Sequence, residues 1–150
     1  MEREAIAGCG EKDFGLRFHH LGVAVRKPTD TVQFMRFLGY EVGDAVYDPR
    51  QGVNLIMCRH AGPVPDVEIV YPDAARGKSP VDAFLRMRPD GLVYHVCYVT
   101  ADLAGSLAAL ETAGLRVVCV APPAPAVLFE GRRVSFYNIV GIGLCEILEL

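Results

Sequence analysis

The chain has 150 residues, 51% of them hydrophobic and 22% charged, with a net charge of −3, which is enough apolar material for one compact domain with its own core. No Lys/Arg-rich block offers a footprint for nucleic acid, and no apolar run approaches the ~20 residues that span a bilayer. The expected setting is cytoplasmic, with neither nucleic acid nor membrane as a partner.

Residues 1–16 carry scattered charges and the stretch Ala7-Gly8-Cys9-Gly10, which reads as a flexible tail with a spectator thiol. Cys58, Cys97, Cys119 and Cys145 lie in apolar runs without a Cys-x-x-Cys spacing and read as reduced core residues. A strand is predicted over 18–25. Pro28 with Thr29 or Asp30 offers a helix start, Thr31, Phe34, Met35 and Leu38 share a face, and Gly39 stops the helix. Strands follow over 40–47, 52–59 and 66–71, separated by turn-rich segments. Residues of about 17–72 therefore read as a βαβββ unit.

A linker over 73–91 holds a short helix at 79–85, with Pro80 just inside its start. The order then repeats over about 92–150. A strand over 93–99 precedes Asp102, which can cap a helix with Leu103, Leu107 and Leu110 on one face and Gly114 at its end. Three strands, 115–120, 133–138 and 144–148, complete the second unit, with a proline-rich excursion at 122–125 between the first two. The fold class is α+β, two βαβββ modules in tandem.

The repeat carries chemistry. His20 and His95 are 75 positions apart (95 − 20), as are Gly39 and Gly114 (114 − 39), and each histidine alternates with small or apolar residues on the first strand of its module. Glu68 and Glu146 sit in the last strand of each module, inside Val-Glu-Ile-Val and Cys-Glu-Ile-Leu. A carboxylate buried alone there would cost several kcal/mol, so each needs a cation or must face water. One divalent ion (Zn, Ni, Co or Mn) held by His20, Glu68, His95 and Glu146 meets that need for both. Glu149 becomes the inward acid if the last strand is shifted by one. His19 and His60 read as surface residues. The sheet edges left by two such units predict a homodimer with Val42, Val46, Val117 and Cys119 as contacts.

His20-Leu21-Gly22-Val23-Ala24-Val25, Gly39-Tyr40 after the first helix, Glu68-Ile69-Val70-Tyr71-Pro72 and Gly143-Leu144-Cys145-Glu146 resemble the vicinal oxygen chelate superfamily of glyoxalases, extradiol dioxygenases and methylmalonyl-CoA epimerase. The resemblance covers about 18–150, and Ser79-Pro80-Val81 with Gly91-Leu92-Val93-Tyr94-His95 is most similar to the epimerase branch. It implies a single domain over 17–150 that forms a half-open barrel around the metal, with the four residues above as its ligands. The chain departs from that pattern at Asp48-Pro49-Arg50-Gln51-Gly52-Val53, where Arg50 or Gln51 stands at the position of the epimerases' proton-moving glutamate. Arginine cannot serve as a base at neutral pH.

Such a site implies proton transfer alpha to a carbonyl, on a small acyl thioester or a 2-oxo or 2-hydroxy acid. Candidate acid/base groups are Glu68, Glu146, Asp48 and Glu130; Arg50, Gln51, Arg132 and Arg133 are candidates to hold a small-molecule substrate. Two other readings within the superfamily are a non-catalytic resistance-type binding module and a metal-dependent dioxygenase, the latter disfavoured by a fourth ligand.

Overall fold

The computed structural model describes residues 13–150. The expected tail therefore falls mostly outside the described residues, and Cys9 with it. Residues next to the first strand are packed: Phe14 and Leu16 lie against the apolar cluster beneath the last helix.

The first module runs β1 (Arg17–Ala24), α1 (Thr29–Phe37), β2 (Glu41–Val42), β3 (Val46–Asp48), β4 (Val53–Arg59) and β5 (Asp66–Pro72). After the linker helix α2 (Asp82–Met87), the second runs β6 (Leu92–Thr100), α3 (Leu103–Thr112), β7 (Val117–Pro125), β8 (Arg133–Ile139) and β9 (Gly143–Glu149). Both modules belong to one open, curved sheet in the order β2-β4-β5-β1-β6-β9-β8-β7, with β3 also paired to β4. The two first strands meet at its centre, β1 antiparallel to β6, and each is flanked by the last strand of its own module in parallel, β5 and β9. A pseudo-twofold axis thus passes between β1 and β6.

Several elements differ from the sequence expectation for local reasons. The strand predicted over 40–47 is two short ones, because Gly43-Asp44-Ala45 interrupts the ladder against β4. The strand predicted over 115–120 continues through the prolines to Pro125, which is tolerated because β7 is an edge strand whose outer side needs no amide donors. Cys119 on that strand is exposed, whereas Cys58, Cys97 and Cys145 are buried as expected. The linker helix starts three residues later than predicted. Ser79 and Asp82 hold its entry, with Ser79 Oγ accepting from the Val81 amide at 3.2 Å and the Asp82 carboxylate accepting from the Ser79 amide at 2.7 Å.

Asp102 caps α3 as expected, its carboxylate accepting from the Gly105 amide at 3.0 Å. Leu110 is buried and Leu103 and Leu107 pack beside it. Helix α1 instead buries only Met35, with Val32 against the same cluster, while Phe34 and Leu38 stay 59% and 52% exposed. A nine-residue helix meets the sheet along too short a line to cover both sides of its apolar stripe.

The sheet has an outer face covered by helices and an inner, concave face. Val67, Ile69, Ile56 and Cys58 pack with Met35 of α1, and Cys145, Ile147, Tyr137 and Ile139 pack with Leu110 of α3. On the inner face two apolar plugs fill the ends of the cup. Val81 and Leu85 from the linker cover Ala24, Val53, Leu55 and Val70. Ala126 and Phe129, on the loop before β8, cover Met57, Cys97, Val99, Val134 and Leu148. The space between the plugs is where polar side chains converge.

Candidate metal centre and active site

Ladder register brings the four expected ligands together. Gly22 pairs with both Glu68 on β5 and His95 on β6, and Cys97 pairs with both Glu146 on β9 and His20 on β1. Directly opposed residues share a face of a sheet, so the two histidines and two glutamates all project into the cup from four adjacent strands. His20 Nε2 lies 3.4 Å from His95 Nε2, 3.8 Å from Glu68 Oε2 and 3.9 Å from Glu146 Oε2. His95 Nε2 lies 3.9 Å from Glu68 Oε1 and 3.1 Å from Glu146 Oε2. None of the four is more than 4% exposed. Glu149 takes no part: it faces outward and forms a two-pronged pair with Arg133, at 2.5 and 2.9 Å.

Gly22 makes this convergence possible. A methyl group there would overlap the His95 imidazole, which lies directly over the glycine. The close approach of ring to backbone requires a residue without a side chain.

The donor set suits a divalent cation. Among the described residues the only basic groups paired with Glu68 and Glu146 are the two imidazoles. With no cation beside them, burial pushes both carboxyls up to about 8, helped at Glu68 by the neighbouring Glu146 and at Glu146 by Asp48. Burial, His95 and His19 push His20 down to about 2, and burial lowers His95. Two neutral imidazoles and two carboxylates within 4.8 Å of one another are a nitrogen-and-oxygen set that Zn, Ni, Co or Mn accepts.

These shifts give a signed expectation for the metal-free protein. His20 is neutral when folded but titrates near 6.5 when unfolded, so its contribution is complete above pH 6.5 and is lost as pH falls toward 2. Glu68 and Glu146 keep protons to about pH 8 when folded but only to about 4.5 when unfolded, so their contribution falls as pH rises between those values. Above pH 6.5 only the glutamate effect remains. The chelator-treated protein should therefore lose on the order of 2 kcal/mol, or about 5 °C of melting temperature, between about pH 6.5 and 8. Zinc-loaded protein should not. Parallel melts with and without chelator check this, and equal slopes would count against a cation at these carboxylates.

Two further residues face the cup that strand alternation assigns to the outside. The β1–β6 pairing carries one extra residue on each strand: register shifts between Phe18 and His20 on one side, and between His95 and Val93 on the other. His19 and Tyr94 are the bulged residues, each just before a histidine of the cluster and related by the pseudo-twofold. The His19 ring stands edge-on to His20 at 5.0 Å, and the Tyr94 ring edge-on to His95 at 4.6 Å. His19 is half-buried rather than a surface residue, with its Nδ1 2.8 Å from His20 Nδ1. His60 lies far from the cup, beside Tyr40 and Gly62. Nothing in the sequence marks a bulge, so alternation misplaces both His19 and Tyr94.

A cavity of about 320 Å³ opens beside the ligands, walled by Val53, Val81, Phe84, Tyr94 and Phe136, with Arg50 and Gln51 at its polar side. Phe136 is paired with Glu146 and stands edge-on to His95 at 5.7 Å, which ties this cavity to the four-residue cluster. A larger hollow of about 550 Å³ lies over the start of α3, on the outer side of the sheet and away from this chemistry. Asp48 is 3% exposed and close enough to raise both glutamates. Its carboxylate accepts from the Arg50 amide at 2.9 Å, from the Gln51 amide at 3.4 Å and from Gln51 Nε2 at 2.9 Å. Arg132 and Arg133 do not line the cavity: Arg132 donates to the Phe129 carbonyl and Arg133 to Glu149. Glu130 is exposed in a left-handed turn.

This sheet of paired βαβββ units with a His/Glu centre in its cup defines a class. The chain belongs to the glyoxalase/bleomycin resistance protein/dioxygenase superfamily, whose model matches residues 19–136. Within it, the chain is 32% identical over 123 residues to the ethylmalonyl-CoA/methylmalonyl-CoA epimerase of Cereibacter sphaeroides, covering 81% of this chain and 87% of that one. The crystal structure of methylmalonyl-CoA epimerase from Mycobacterium tuberculosis shares the fold, with a TM-score of 0.68 at 21% identity over 90% of this chain and 87% of that one. A variant of the Streptomyces coelicolor methylmalonyl-CoA epimerase in complex with 2-nitronate-propionyl-CoA has a TM-score of 0.65 at 26% identity, covering 89% of this chain and 96% of that one. No helix among the described residues is long and apolar enough to cross a membrane.

Proposed function

We propose that the chain is a metal-dependent acyl-CoA epimerase that moves a proton on and off the carbon alpha to the thioester carbonyl of a small 2-substituted substrate. One observation carries this reading: four buried groups that suit a divalent ion converge next to Phe136, a wall of the cavity, and a further buried carboxylate, Asp48, is held by Gln51 of the same wall. His20, Glu68, His95 and Glu146 would hold the ion, which supplies Lewis-acid stabilisation of the negative charge that develops on the carbonyl oxygen.

The remaining work falls to the chain's own groups. Asp48 takes the alpha proton in place of the acid that Arg50-Gln51 lacks, and Gln51 Nε2 aims its carboxylate. Return of a proton to the opposite face would fall to Glu68 or Glu146, whichever leaves the ion and takes up a proton from water, while Asp48 gives the alpha proton back to water. Arg50 gives the cavity a cation for a substrate carboxylate or phosphate. Val53, Val81, Phe84 and Phe136 keep bulk water from the alpha carbon.

The test is exchange in deuterated water. Zinc- or cobalt-loaded protein should exchange the alpha hydrogen of methylmalonyl-CoA or ethylmalonyl-CoA, and chelator should abolish it. Failure of both thioesters to exchange, together with tight unaltered binding of another small compound, would favour a sequestering module.

The same reading takes a second copy of the chain as partner. Of the expected contacts, Val42, Val46 and Val117 are half-buried in their own module, while Cys119 is exposed on β7. Phe34, Phe37 and Leu38 around α1, with Val118 and Val120 on the β7 edge, are the exposed apolar residues a homodimer would cover. Light scattering at micromolar concentration should give twice the chain mass, and a single-chain mass would remove this part.

A further inference from the structure

We infer that His19 is a positioning residue for the metal: it holds His20 in the tautomer that turns the Nε2 lone pair toward Glu68 and Glu146. The inference rests on the proposed metal reading of the four-residue centre. A neutral imidazole carries one proton, on either nitrogen. If Nε2 of His20 gives its lone pair to a cation, the proton must sit on Nδ1, in a site where His20 is 0% exposed and water cannot receive it. The 2.8 Å separation of the two Nδ1 atoms is a hydrogen bond that supplies the missing acceptor: His20 Nδ1–H donates, and His19 Nδ1 accepts. His19 then carries its own proton on Nε2. The opposite arrangement would aim an N–H from His20 into the centre, where a cation belongs.

Three features fix His19 for this task. The bulge on β1 turns it to the same side as His20. Its ring is held edge-on to Phe129 at 5.6 Å, and Phe129 stacks on His20 at 5.8 Å. The other module offers no equivalent acceptor, because the bulged residue there is Tyr94, and His95 Nδ1 is buried without a partner. The two halves of the repeat thus hold their histidines unequally, with His20 oriented by a hydrogen bond and His95 by packing over Gly22. Outer partners of this kind commonly change metal affinity by about 10–100-fold.

The probe is zinc, with affinity measured by competition against a chromophoric chelator and ring tautomers read by nitrogen-15 NMR of histidine-labelled, zinc-loaded protein. His19→Phe keeps the ring volume and removes the acceptor; it should weaken zinc binding by about 10–100-fold. His19→Asn places an amide oxygen near the position of Nδ1 and should restore most of that loss. In the native protein His20 should carry its proton on Nδ1 and His19 on Nε2, a readout that needs no variant to fold. A His19→Phe affinity within about twofold of native, a His19→Asn protein as weak as His19→Phe, or a proton on His19 Nδ1 would each overturn the inference. Failure of native protein to bind zinc at all would overturn the metal reading beneath it.

Discussion

Asp48→Asn should lower alpha-hydrogen exchange by about 10²–10⁴-fold while leaving the metal content of the protein unchanged. The substitution is isosteric. The side-chain carbonyl oxygen of the new asparagine can still accept from the Arg50 and Gln51 amides, so the turn that closes β3 keeps its hydrogen bonds, and the Gln51 side chain can rotate to meet the new NH₂ group. What is removed is the charge of a buried carboxylate that lies close enough to the two glutamates to raise both. The converse variants, Arg50→Glu or Gln51→Glu, place an acid where the resemblance to the epimerases implies one. If Asp48 has taken over that role, the added acid should partly restore exchange to the Asp48→Asn protein. Full exchange by Asp48→Asn alone would move the base to Glu68 or Glu146.

Gly22→Ala is expected to remove metal binding as thoroughly as loss of a ligand. The added methyl would occupy the space of the His95 ring, so either His95 swings out of the cup or β1 and β6 separate at the centre of the sheet. Overpacking of this kind typically costs about 1–3 kcal/mol, and displacing a direct ligand should exceed the ~100-fold upper range seen for outer partners. Zinc titration of Gly22→Ala beside His20→Ala/His95→Ala is the comparison: both should bind zinc more weakly than native by about 100-fold or more. Native-like affinity in Gly22→Ala would show that His95 does not need its place over the glycine, and native-like affinity in the histidine double variant would remove the metal centre itself.

The sequence by itself determined the two βαβββ units and which four side chains converge in the cup, because both are written as repeats. Alternation puts His20 and His95 on matching faces, and a glutamate inside an apolar run demands a partner wherever the strand lies. Asp48, Arg50 and Gln51 were legible only through the resemblance to the epimerases, as the segment where the chain departs from their pattern. Only the tertiary structure decided between Glu146 and Glu149, since a shift of one residue exchanges the faces of a strand and the ladder with β6 and β8 settles which one occurs. The structure also decided what is local and unpatterned: the bulges that turn His19 and Tyr94 inward, the two plugs formed by the linker helix and the 126–129 loop, and the withdrawal of Arg132 and Arg133 to partners outside the cavity. A periodic pattern records which face a residue takes in a regular strand. It carries no record of where one extra residue interrupts that strand, or of which loop folds back over the face it builds.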